Sequence, residues 1–458
     1  MSESEIRYEK KSVYEKAGKT VVKKAYTYAK DYVRFLDASK TEREAVRESI
    51  RLAETAGYSS YHFGDPLKPG DKRYYNNRDK NLFLFKIGTE PINNGIRITG
   101  AHIDSPRLDL KQNPIFEDGD LCYFKTHYYG GIRKYQWLTM PLALHGVVVK
   151  QSGEIVTLSI GENETDPVMY ITDLLPHLAQ KEVGKTVTDA FPAERLNILI
   201  GSRPMEGAEK EAVKQGVLQY LYDTYGITEE DFQSAELSIV PAGRARDVGF
   251  DRSMICGYGH DDRCCAYPSL TAMIDADETV HTTMCTLVDK EETGSDGVTG
   301  AQSSIVVDLI AEIAKALGGN DAQVRANSKC LSSDVAAIFD PAFPDVFEKS
   351  NAALLNCGVA MCKFTGSRGK SGTSDASAEL VAWVRRCLNE AGVVWQTCEL
   401  GKVDLGGGGT IAKYMANHNI DTLDLGVGVL SMHAPYEIIS KVDLYESYRA
   451  FRAFYNFK

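Results

Sequence analysis

The chain has 458 residues, 43% hydrophobic and 25% charged, which is ordinary for a globular protein of two or three domains and excludes collagen-like, disordered and disulfide-scaffold classes. Its 52 Lys and Arg against 63 Asp and Glu leave a formal charge of −11, a balance that argues against nucleic acid as a partner. The longest apolar stretch, 137–150, contains His145 and is too short to span a bilayer, and the polar first five residues lack a signal-peptide core, so a cytoplasmic protein with no membrane partner is expected.

Residues 18–35 repeat Val21, Val22, Ala25, Tyr28, Ala29 and Val33 at helical spacing and predict a first helix. Thr41 with Glu44 forms a capping-box pattern that opens a second helix, with Gly57 as its stop. Strands are expected at 81–87 and 96–103. From about Pro114 the texture changes to strand-like runs (142–149, 155–160), Gly and Asn turns and a polar helix at 206–225. Little α/β alternation is visible there, and an inserted domain of mixed, β-rich character is expected over 114–246, with a strand at 237–241 near its end. Helix and strand then alternate: helix 262–274, strand 281–288, helices 301–317 and 376–391, strand 393–400, helix 410–418, strand 420–425 and helix 445–455. This alternation predicts an α/β catalytic domain, a three-layer fold on a mostly parallel sheet, over 1–113 and 247–458. The ten cysteines include no CxxC pair and read as buried, reduced thiols that pack as small hydrophobes.

The chemistry-bearing residues fall where strands give out, which is where open α/β sheets form their ligand crevice. Glu291 and Glu292 leave one strand. Adjacent acids there point in different directions, so one can ligate a metal while its neighbour faces a water as general base; a solvated acidic turn would look the same. His102 and Asp104 end another strand, suiting a ligand imidazole held by a carboxylate, or equally a structural turn. Asp261 follows Gly257 and Gly259 and can bridge two cations, whereas Asp262 also suits a helix N-cap. Asp334 and His433 follow two further strands. Each alone reads as structural. Together, two imidazoles and several carboxylates suit a pair of divalent ions, zinc above all, with manganese or cobalt also accepted.

Several segments carry a family likeness. They are Ala101-His102-Ile103-Asp104-Ser105-Pro106-Arg107-Leu108, Gly259-His260-Asp261-Asp262-Arg263, Asp289-Lys290-Glu291-Glu292-Thr293-Gly294-Ser295, Gly300-Ala301-Gln302-Ser303, Ser333-Asp334-Val335-Ala336, Leu423-Asp424-Leu425-Gly426 and Met432-His433. In this order, from about residue 80 onward, the chain resembles the aspartyl aminopeptidase and vacuolar aminopeptidase I family of metallopeptidases, its bacterial branch in particular. The resemblance implies that His102 and Asp334 hold one metal, Glu292 and His433 the other, and that Asp261 bridges them. Glu291 would be the general base and Asp104 would orient His102. It also implies that the inserted domain dimerises, that His177 in Leu175-Pro176-His177-Leu178-Ala179 reaches a neighbouring subunit's active site, and that dimers build a dodecamer. The substrates would be peptides with a free N-terminus. After Tyr129-Gly130-Gly131-Ile132 the chain lacks the Trp-x-Asp-Arg pattern of the aspartyl branch, which leaves the preferred N-terminal residue open. Lys363, Arg368 and Lys370 can attract an acidic side chain or form a solvated loop. A related two-metal deacylase or carboxypeptidase, and a catalytically silent scaffold, are the alternatives.

Overall fold

The computed structural model describes residues 6–276 and 280–457. The chain forms two compact units, one of Met1–Asp104, Ala245–Met432 and Glu437–Lys458, the other of Ser105–Arg244 and His433–Tyr436.

The first unit is built on a nine-stranded sheet. Its strands lie in the order Ser59–Ser60, Lys72–Asn77, Asn81–Lys86, Thr282–Val288, Ile96–His102, Lys329–Ser332, Asp421–Gly426, Val359–Cys362 and Trp395–Thr397. The middle runs parallel, from Thr282–Val288 across Ile96–His102 and Lys329–Ser332 to Asp421–Gly426. Asn81–Lys86 is antiparallel to Thr282–Val288 and also to Lys72–Asn77, the latter fixed by the tight turn through Arg78 and Asp79, both at positive φ. Val359–Cys362 is also antiparallel to its neighbour Asp421–Gly426, so the sheet is more mixed than the alternation suggested.

Side chains alternate across this sheet as strand geometry requires. Leu82 and Leu84 pack with helices Lys19–Asp37, Glu42–Thr55, His260–Ile274, Ala378–Glu390 and Lys441–Asn456; Phe83 and Phe85 pack with Ile305–Ala316, Asp321–Asn327 and Ala412–Asn417. Helices thus cover both faces, giving the three layers. The Thr41 capping box is formed, with Glu44 N–H donating to Thr41 Oγ1 and Thr41 N–H to Glu44 Oε2 at 2.9 Å. A further sheet of five short strands, among them Met254–Gly257 and Glu437–Ser440, had no strong sequence signal.

The second unit holds a six-stranded antiparallel sheet, in the order Ile155–Ile160, Leu142–Val149, Ala235–Pro241, Arg107–Asp118, Leu121–Tyr129 and Ile198–Gly201. The strand beginning at Arg107 pairs within this sheet, which is why the unit takes in the chain from Ser105 rather than from 114. Its longest helix is Ala212–Tyr225; Glu211 at φ 44° is not helical, so the 206–211 segment stays outside.

Candidate metal centre

Ile96–His102, Thr282–Val288 and Lys329–Ser332 run parallel, so their carboxyl ends lie at one edge of the sheet. His102 closes the first. Glu291 and Glu292 open a 3₁₀ turn, Glu291–Thr293, just after the second. Asp334 follows the third by two residues. Asp261 comes from the start of helix His260–Ile274, where the backbone at Asp261 and Asp262 is not yet helical.

His102 is oriented from behind. Its Nδ1 lies 3.0 Å from the Asp104 carbonyl oxygen, which can only accept, so Nδ1 carries a proton and Nε2 is the nitrogen turned to the acids. Asp104 Oδ1 stands further off, at 3.4 Å. Nε2 faces Asp261 Oδ1 at 3.1 Å, Glu291 Oε2 at 3.9 Å and Asp334 Oδ1 at 3.9 Å. The Asp104 carboxylate also accepts the backbone N–H groups of Glu291 and Glu292, at 3.2 and 3.1 Å, and so fixes the acidic turn against the histidine strand.

Three residues outside the expected ligand and base set support the site. Asp262 is not a conventional N-cap; its Oδ2 accepts the His102 backbone N–H at 3.3 Å, and its buried Oδ1 has no hydrogen-bond partner. Arg263, fully buried, donates to the carbonyls of Ile103 at 3.1 Å and Lys40 at 3.2 Å, tying the strand exit to the helix. Glu437 Oε2 accepts the Asp261 N–H at 3.0 Å. The first two stood inside a quoted motif; nothing local marks Glu437.

The electrostatics of this cluster are those of a cation site. Burial pushes the Asp334 carboxyl well above the carboxylate range, Glu291 adding to it and His102 offsetting it. Burial likewise raises Asp262. For His102 burial opposes charge, and Asp104, Asp261, Asp262 and Glu291 outweigh it, holding the imidazole well above its usual range. Ligand atoms of His102, Glu291 and Asp334, of His102, Asp261 and Glu292, and of Asp261, Asp262 and Asp334 lie within 4.8 Å of one another. An imidazole nitrogen with carboxylate oxygens at this spacing fits the zinc donor chemistry. His102 and Asp261 side chains are 2% and 3% exposed, whereas Glu291 keeps 16%, enough to meet water.

Asp334 rests directly on Gly426, where a Cβ would stand 1.9 Å from the Asp334 carbonyl oxygen. Gly426→Ala is therefore expected to cost about 1–3 kcal/mol of stability and to weaken metal binding by displacing Asp334; chemical denaturation beside metal titration checks both.

His433 and His177 belong to the second unit. His433 Nδ1 donates to the Gly131 carbonyl at 2.9 Å, leaving the lone pair on Nε2. His177 is exposed, between Leu175 and Leu178, which are 52% and 65% exposed. In the first unit Lys363 and Lys370 both pair with Asp375, the latter at 2.8 Å, so one carboxylate offsets part of that loop's charge and, with Arg368, the loop stays net positive.

A three-layer α/β unit with a histidine and carboxylates gathered at its strand ends defines a metal-dependent hydrolase. Residues 35–455 match the family described as Aminopeptidase I zinc metalloprotease (M18). A probable M18 family aminopeptidase 1 of Clostridium acetobutylicum is 50% identical over 99% of both chains, and one of Thermotoga maritima is 44% identical over 98% of this chain and 99% of its own. The crystal structure of the Thermotoga maritima M18 aminopeptidase superposes with a TM-score of 0.94 at 44% identity, covering 98% of this chain and 100% of that one. The dodecameric mApe1 of S. cerevisiae shares the fold, with a TM-score of 0.76 at 20% identity over 94% of this chain and 96% of that one. The chain belongs to the M18 family of zinc aminopeptidases, and is a metallo-aminopeptidase.

Proposed function

We propose that the protein removes the N-terminal residue of peptides with a two-zinc centre in which Glu291 is the general base. The observation that carries this reading is His102 Nε2 turned toward Asp261, Asp334 and Glu291. His102 and Asp334 would hold one ion and Glu292 and His433 the other, with Asp261 as a ligand shared by both. Support comes from Asp261, which shares one cluster with His102 and another with Asp334, and from the Nδ1–H of each histidine being committed to a carbonyl. Zinc, when bound, supplies a Lewis acid and a water that loses its proton near neutral pH. Glu291, whose side chain keeps 16% exposure, would take that proton and pass it to the leaving amine. Asp104 keeps Glu291 in reach by holding its backbone. Bound metal would supply Lewis acidity to the substrate's carbonyl oxygen or free amine, and His177 of a neighbouring copy would help stabilise the oxyanion.

Self-association into dimers and then a dodecamer accompanies this reading, as does a cytoplasmic location; no helix among the described residues is long and apolar enough to cross a membrane. Support for assembly comes from the exposed Leu174, Leu175, Leu178 and Val183 of the second unit. Light scattering is expected to give a large homo-oligomer, and an active monomer at micromolar concentration would refute it.

A panel of aminoacyl amides, assayed after chelation and after metal add-back, tests the function. Activity is expected to vanish and return, and N-acetylated peptides are expected to be rejected. Faster cleavage of acetylated substrates would instead assign a deacylase.

A further inference from the structure

Two thiols stand where two neighbouring strands of the nine-stranded sheet give way to loops. Cys362 ends Val359–Cys362, and Cys398 follows the parallel strand Trp395–Thr397. The register sets Met361 beside Thr397, and Cys398 N–H donates to the Met361 carbonyl at 3.0 Å, so positions 362 and 398 come side by side. Their sulfurs lie 2.8 Å apart in a small apolar nest of Ala336, Ala353 and Ala360. Adjacent strands are about 4.7–4.9 Å apart, inside the ~4.4–6.8 Å range of Cα separations that a disulfide spans. Bridging this pair needs side-chain movement only.

We propose that Cys362 and Cys398 are a redox modification site, closing to an intramolecular disulfide when the protein meets a peroxide. The Cys362 thiol is pushed up, first by its hydrogen bond to Cys398 and then by burial, so the pair rests as thiols until an oxidant reaches it. One sulfur of the pair breaks the O–O bond of hydrogen peroxide and becomes a sulfenic acid, releasing one water. The other sulfur, 2.8 Å away, then displaces the hydroxyl as a second water, forming the S–S bond. Two thiols and one peroxide thus give one disulfide and two waters. At 8% and 6% exposure both residues are buried but not wholly sealed from solvent.

The bond would fasten the roots of two loops, 363–375 and 399–409. These loops already meet, Gly366 N–H donating to the Gly408 carbonyl at 2.5 Å. Lys370 and Lys402 both border the small cleft they share.

The test uses the full, metal-loaded chain. It is treated with hydrogen peroxide, its remaining thiols are alkylated, and it is digested without reductant for mass spectrometry. Fragments joining Cys362 to Cys398, absent after dithiothreitol, are expected. Nicking of the undenatured protein by trypsin at Arg368, Lys370 and Lys402 is expected to slow about tenfold in the oxidised form. Cys398→Ser should abolish both effects, and Cys387→Ser, in the same tryptic peptide, should keep both. Recovery of both thiols alkylated, over-oxidation of either without a cross-link, or equal slowing in Cys398→Ser would overturn the proposal. Neither readout involves turnover, so a failure of the peptidase reading leaves the result interpretable.

Discussion

Glu291→Gln is expected to lower turnover by about 10²–10⁴-fold while the bound metal stays in place. The amide matches the carboxylate in size but cannot accept a proton. The backbone N–H that Asp104 holds is unchanged, so the turn should keep its shape. Glu292→Gln should behave differently: an amide oxygen is a poorer ligand than a carboxylate but not a null one, so metal should leave more readily and excess metal should restore part of the rate. Metal analysis beside kinetics separates the two. Because the ligand atoms of His102, Glu291 and Asp334 also cluster, loss of metal from Glu291→Gln and not from Glu292→Gln would exchange the two roles. Unchanged activity in both would mean that the turn is a solvated acidic loop.

Asp261→Asn is expected to weaken metal binding by at least about 10- to 100-fold, the usual cost of losing a residue that merely supports a ligand, and to take activity with it. Asp261 is 3% exposed, stands 3.1 Å from His102 Nε2 and joins two of the ligand clusters. Its backbone N–H remains with Glu437, so the fold should survive the change. Metal stoichiometry after dialysis is the measurement. Full occupancy with near-normal turnover would remove Asp261 from between the ions.

The long helices were legible because their signals are local. Thr41 and Glu44 cap one helix within four residues, and the apolar stripe of 18–35 repeats over most of its length. The strand Asn81–Lys86 reads as a continuous run because it is buried on both faces. Arg107–Asp118 was missed: it carries Lys111, Gln112, Asn113 and Pro114 and pairs through a register shift, which breaks its alternation. The strand at 237–241 was expected, but no local pattern shows that it pairs between Leu142–Val149 and Arg107–Asp118. In the metal centre, residue types at strand exits picked out His102, Asp104, Asp261, Glu291, Glu292 and Asp334, which the first unit does bring together. The resemblance implied that Asp104 orients His102. The closer contact is its carbonyl, and its carboxylate also secures the Glu291 turn. Glu437 was beyond reach, since it acts on a backbone N–H 176 positions away and any acid at a strand start looks alike.

The spread of these groups along the chain sets an order of events during synthesis. His102 leaves the ribosome about 230 residues ahead of Asp334, with the whole of the second unit's main segment in between. At about 5–20 residues per second that gap lasts roughly 10–50 s. Throughout it the imidazole has neither the strand Lys329–Ser332 beside it nor the acid that follows that strand. The donor set that His102 shares with Asp334 is therefore completed only once the chain has been translated past residue 334, and a product truncated before that point lacks it.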